Sequence, residues 1–117
     1  MIFKAIKKNE EFQNIFDKGH SIYGKYLVVY FLQNHSDDYR FGFCVGKKIG
    51  GAVVRNRIKR LFREAVRQQN QAKFITGWDL VIIARHPVLK ASLTEIVTEL
   101  QYILAKFKSK YLTTERE

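Results

Sequence analysis

The sequence predicts a single α+β domain in which helices are layered on a mixed four-stranded sheet, in the order α-β-β-β-α-β-α. Three observations predict it. Residues 52–69 and 92–107 repeat apolar side chains at helical spacing. Residues 26–32 and 78–85 are apolar runs rich in β-branched and aromatic residues, as strands are. A chain of 117 residues with 46% hydrophobic content is long enough to bury one core. No internal repeat, Pro-rich linker or low-complexity block divides it, so residues 1–117 read as one domain, with 108–117 as a frayed tail.

The elements follow in order. Asn9 is a good N-cap, Glu10 and Glu11 sit in the first turn where the helix dipole favours anions, and Gly19 ends the helix as a C′ residue. Phe12, Ile15 and Phe16 form its apolar side. A short strand is expected around residues 21–23. In "YLVVYFL", Tyr26, Val28 and Tyr30 point one way and Leu27, Val29 and Phe31 the other, a strand apolar on both faces. "NHSDDY" has the composition of a turn, so "RFGFCVG" at 40–46 is expected to pair antiparallel to the strand before it. After "KKIGG" a helix runs from Ala52 to Gln69. "WDLVIIAR" reads as a strand covered on both faces, ended by Pro87. "SLTE" at 92–95 is a capping box, and Leu89, Leu93, Ile96, Val97, Leu100, Ile103, Leu104 and Phe107 mark the last helix. The strand, helix and strand from residue 40 to 85 form a crossover, which joins parallel strands if both lie in one sheet; crossovers of this kind are generally right-handed.

Charge narrows the function. Lys and Arg number 21 against 11 Asp and Glu, a formal net charge of +10, which favours polyanionic partners. Nucleic acid is the first candidate and an anionic membrane surface the second. One cysteine, Cys44, excludes an internal disulfide and a Cys-based zinc cluster and suits a reducing compartment. No apolar run approaches the roughly 20 residues a bilayer span needs. "MIFKAIKKNEEF" lacks the apolar stretch of a signal peptide, so a cytoplasmic location is expected.

The charge is concentrated in "RNRIKRLFREAVR", residues 55–67, which holds six cations and a single acid, Glu64. At about 100° per residue, Val54, Ile58, Leu61, Phe62 and Ala65 fall on one side of the helix. Asn56, Arg60, Arg63 and Arg67 fall on the other, bordered by Arg55 and Lys59 on one edge and by Arg57 and Glu64 on the opposite edge. A solvated helix face is normally laced with i,i+4 ion pairs, and one carboxylate cannot neutralise six cations. Five of the six are Arg, whose planar fork grips phosphate oxygens bidentately. A stripe of unneutralised like charge therefore points to nucleic acid. Lys47 and Lys48 lie just before it, and Gly50 and Gly51 lead into the helix N-terminus, where free N–H groups favour an anion; the glycines also suit a turn that needs their dihedral freedom. The spacing of a nucleotide-binding phosphate loop is absent.

"KKIGGAVVRNRIKRLFRE", residues 47–64, resembles the signature of the protein subunit of bacterial ribonuclease P: a Lys pair, Gly, Ala-Val, Arg-Asn, then Lys-Arg and Arg. The resemblance extends to "KKNEEFQNIFDKGHSIYGKYLVVY" at 7–30 and "DLVIIARHP" at 79–87. It implies a partner, the catalytic RNA of that ribonucleoprotein, which carries magnesium ions and cleaves precursor tRNA while the protein helps it bind the substrate and remove the 5′ leader. It implies no cofactor held by the protein alone and no protein partner. Lys47, Lys48, Arg55, Asn56, Arg57, Lys59, Arg60 and Arg63 match the positions that face the RNA in the family; Arg67 joins them on the helical wheel alone. Phe12, Phe16, Ser21, Val28 and Tyr30 match the positions of a cleft between the cationic helix and the sheet that receives the leader. The resemblance also implies a left-handed crossover, against the general rule. Gly46 departs from the family, which commonly has Ser there.

The cleft has its own physical logic, because aromatic faces stack on any base and hold a strand without reading its sequence. Phe12 and Phe16 fit a core equally well on an amphipathic helix, whereas the Tyr30 hydroxyl favours a wet setting. Other constellations carry less. His20, His35 and His86 lack ligand spacing with one another or with Cys44. Cys44 reads as a small buried apolar residue. Asp37 and Asp38 fit a turn better than a two-metal site. The apolar side of the cationic helix is needed for the core, which argues against a membrane-surface role. A stand-alone RNA-binding or ribosome-associated protein remains the alternative to a ribonuclease P subunit.

Overall fold

The computed structural model describes residues 4–69 and 76–112. Its elements are β1 (Lys4–Ala5), α1 (Asn9–Lys18), β2 (His20–Tyr23), β3 (Leu27–Gln33), β4 (Arg40–Cys44), α2 (Ala52–Arg67), β5 (Trp78–Ala84), a short 3-10 helix (His86–Lys90) and α3 (Leu93–Tyr111). The expected α+β sheet is present, with the two-residue β1 added at one edge, in the order β1-β4-β5-β3-β2.

One expected pairing is overturned. β4 does not form a hairpin with β3: β5 lies between them, antiparallel to β3 and parallel to β4. The reason is burial. Leu80, Val81 and Ile82 are all fully buried, on alternating faces, so β5 needs a neighbour on each side and a layer on each face. β4 and β5, joined through α2, form the parallel pair that the crossover required.

The sheet separates two unequal apolar layers. Leu27, Val29, Phe31, Phe41, Leu80 and Ile82 face α2 and α3 in the main core. There Phe107 stacks on Phe31 with centroids 3.9 Å apart and takes the edge of Trp78 at 4.9 Å. On the opposite face Val81, Ile6 and Ile15 form a small cluster under α1. Gly42 allows that close seat, since a Cβ there would lie 2.7 Å from the Phe12 ring. An ionic clamp fixes the same helix: Arg40 donates to both oxygens of Asp79 at 2.9 and 2.6 Å and to Glu11 at 2.9 Å, and Asn34 donates to Asp79 at 2.8 Å. Asp79, although buried, therefore has three partner bonds.

Local signals were followed with two corrections. Lys8 rather than Asn9 is the N-cap of α1, and it makes no side-chain cap bond. Gly19 ends α1 in extended backbone, and it is glycine because a Cβ would lie 2.6 Å from the Ile15 carbonyl and 2.7 Å from that of Phe31. The Ser92–Glu95 capping box is complete, with bonds of 2.8 and 3.1 Å. The expected frayed tail is helical through Tyr111, because Phe107 and Tyr111 pack on the aromatic core; residues 113–117 lie outside the described residues. So does 70–75, which contains most of the polar run after α2.

Candidate nucleic-acid interface

Ile58, Phe62, Ala65 and Val66 anchor α2 in the main core. That orientation sends Asn56, Arg57, Arg60, Arg63 and Arg67 into solvent, with Arg55 and Lys59 half-buried along one border. The stripe expected from the wheel is thus a physical surface. Among the described residues its sole ion pair is Arg67 with Glu64, at 3.8 Å, and that carboxylate also accepts from Gln68 at 3.0 Å. Arg55 donates to the Gly50 carbonyl at 3.1 Å, which ties the helix to the turn before it. The Arg63 guanidinium lies over the Phe43 ring, 5.7 Å from its centroid, in a cation–π contact.

Lys47 and Lys48 are exposed in the turn from β4 to α2. Neither Gly50 nor Gly51 has a positive φ, so dihedral freedom is not what the turn requires. A Cβ on Gly50 would instead press to 2.9 Å from Val54. Nothing lies within 4 Å of the place a Cβ would take on Gly46, so the family's Ser would fit there.

The expected cleft residues come together, on the other side of the sheet from the helix that was expected to wall them. Ser21 pairs with Tyr30, Tyr23 with Val28, and Val28 and Tyr30 with Ile83 and Val81, so all of these share the face on which α1 lies. Gly42 and Cys44 continue that face on β4. The wall is α1, because the apolar side of α2 is taken up by α3 and the opposite face. Phe12 and Phe16 lie 6.5 Å apart, and Phe16 meets Tyr30 edge-on at 5.2 Å. All three are half-buried, seated on the small cluster with one side open, while Val28 is buried in the floor at 6% exposure.

Three residues of this cleft were not singled out by sequence reasoning. Tyr23 is 63% exposed on the rim. Burial pushes the Tyr30 phenol up, and the hydrogen-bonded Tyr23 hydroxyl beside it adds to the shift. Ile83 and Cys44 complete the floor. Cys44 is half-buried rather than buried; desolvation raises its thiol, opposed by the charge of Lys59. The period-2 register of the strands carried this signal, since residues 21, 23, 28, 30 and 44 share a face once the strand order is known.

This fold and surface define a class: a small α+β protein with an exposed cationic helix on one face of its sheet and an aromatic cleft on the other. Residues 3–108 match the sequence profile of the family described as Ribonuclease P. The ribonuclease P protein component of Alkaliphilus metalliredigens is 39% identical over 103 residues, covering 88% of this chain and 92% of that one. The ribonuclease P protein of Staphylococcus aureus, a solved structure, superposes with a TM-score of 0.80 at 38% identity, covering 92% of this chain and 97% of the other. That of Thermotoga maritima gives 0.78 at 30% identity, covering 88% and 96%. The chain belongs to the ribonuclease P protein family.

Proposed function

We propose that this protein is the cytoplasmic protein subunit that binds the catalytic RNA of ribonuclease P through the exposed face of α2 and holds the 5′ leader of precursor tRNA in the cleft under α1. The observation that carries the reading is the stripe itself: Arg57, Arg60 and Arg63 have no carboxylate partner among the described residues. A folded chain keeps such a stripe at the cost of self-repulsion, which a phosphate backbone removes. Lys47, Lys48, Asn56 and Lys59 extend the contact on either side.

The division of labour follows from the residues. The cleavage chemistry would be supplied by the RNA with the magnesium ions it carries. The protein orients the substrate: α2 holds the RNA by its phosphates, and leader bases stack on Phe12, Phe16 and Tyr30 in the cleft under α1, without sequence demand. Endonucleolytic cleavage then gives the mature 5′ end.

The test is cleavage of precursor tRNA at low magnesium by the catalytic RNA alone, the protein alone, and both together. Cleavage is expected to be fastest with both and absent with the protein alone. A protein that adds nothing to the RNA, as a stand-alone or ribosome-associated binder would, or one that performs the cleavage itself, contradicts the proposal.

A further inference from the structure

α2 and the cleft leave a second charged surface unused. α3 packs against β2, the last strand of the sheet order, whereas α2 packs against β4 near the other end. The C-terminal part of α3, residues 100–111, contains Lys106, Lys108 and Lys110 and no Asp or Glu. Its buried side is Leu100, Ile103, Leu104 and Phe107, which turns Tyr102, Lys106 and Lys110 outward along the seam with β2. Tyr102 is 60% exposed, more than a core role would leave it.

Tyr102 and Lys106 lie together on this outward strip, whereas Tyr111 turns back toward Phe107 and the core. The Lys106 ammonium lies 5.9 Å from the Tyr102 ring centroid and that of Lys110 5.6 Å from Tyr111, while His20 of β2 stacks on Tyr111 at 4.5 Å. At its upper end the seam opens into a groove of about 470 Å³ lined by Tyr26, Tyr102, Thr94, Thr98, Glu95 and Glu99. The two carboxylates there are engaged: Glu99 accepts three backbone N–H groups of residues 25–27, and Glu95 closes the capping box and accepts from Tyr26. Their remaining lone pairs suit the exocyclic amines of adenine or cytosine, not phosphate.

We propose that this seam is a second binding surface for single-stranded RNA, with a base on Tyr102 at the mouth of the groove and the following phosphates on Lys106 and Lys110. The proposal rests on the RNA-binding reading and extends it: one molecule holds two RNA segments, one along α2 and the cleft and one along α3. Charge complementarity selects the occupant, since the exposed Tyr102 ring followed by Lys106 and Lys110 matches a phosphate backbone bearing stackable bases.

Tyr102→Trp, combined with Trp78→Phe so that it is the sole tryptophan, places a fluorescent reporter on the seam of the full-length protein. A 15-nucleotide single-stranded RNA containing A and C is expected to quench it, in the otherwise unchanged chain and equally in a chain carrying Arg57→Ala, Arg60→Ala and Arg63→Ala. Adding Lys106→Glu and Lys110→Glu is expected to abolish the quenching while assembly with the catalytic RNA is unchanged. Absence of quenching, quenching that survives the two Lys changes, or equal quenching by duplex RNA overturns the proposal. Failure of the α2 reading has a separate signature, catalytic-RNA assembly that withstands the three Arg changes.

Discussion

Glu64 is the lone carboxylate among the six cations of residues 55–67, and its oxygens go to Gln68 and Arg67. Among the described residues Arg57, Arg60 and Arg63 have no carboxylate partner. Tyr30 is the counterpart in the cleft, a ring held at 5.2 Å from Phe16 with one side open. Tyr30→Ala is expected to weaken binding of precursor tRNA about tenfold, the loss of one stacked base at roughly 1–3 kcal/mol, and to leave mature tRNA unaffected; parallel titrations of the holoenzyme check it. Equal weakening of both would remove the leader from this cleft. Glu11 makes a different prediction. Arg40 holds its carboxyl below the ordinary value of 4.5, so the pair adds stability above that value and loses it as the pH falls through the lowered one. Glu11→Gln should be less stable at neutral pH, and the difference from the parent should shrink as the pH falls below 4.5 and through the lowered value in denaturant titrations.

At the scale of elements, the sequence disclosed what each segment is far better than whom it pairs with. The helical spacing of Ile58, Leu61, Phe62 and Ala65, the Ser92 box and the alternation in β3 are local patterns, and all appear in the fold. The hairpin expectation failed because two sequential strands joined by a turn-like "NHSDDY" look the same whether they touch or straddle a third. The deciding fact, β5 buried on both faces, was readable at residues 80–82, but its consequence for strand order was not. The cleft's wall was misassigned for the same reason, since which face α1 covers depends on that order. Long-range polar contacts were equally hidden. Glu99 accepts the N–H groups of Lys25, Tyr26 and Leu27 at 2.7 to 2.9 Å from 72 to 74 residues away. Glu99→Ala strands those donors, two of them partly buried, and is expected to cost about 2 kcal/mol, near 8 °C in Tm at roughly 4 °C per kcal/mol; thermal unfolding checks it. Gly42→Ala should lower stability and leader affinity together, because the added Cβ displaces Phe12 from the cleft wall.

For the whole molecule, the net charge of +10 is distributed so that the core is spared and the surface is charged in separate places. α2 buries its apolar side against α3 and the sheet and leaves its arginines outside, and α1, clamped through Arg40 to Asp79, shapes a cleft on the far face. The salt dependence of affinity for the catalytic RNA measures that arrangement most directly. Each phosphate contact contributes about 0.7 to 0.9 to the slope of log affinity against log salt. Replacing Arg57, Arg60 and Arg63 by Ala is predicted to lower that slope by about 2 to 3 with the fold intact; a slope equal to that of the unchanged protein would contradict the assignment of α2 as the RNA-binding face.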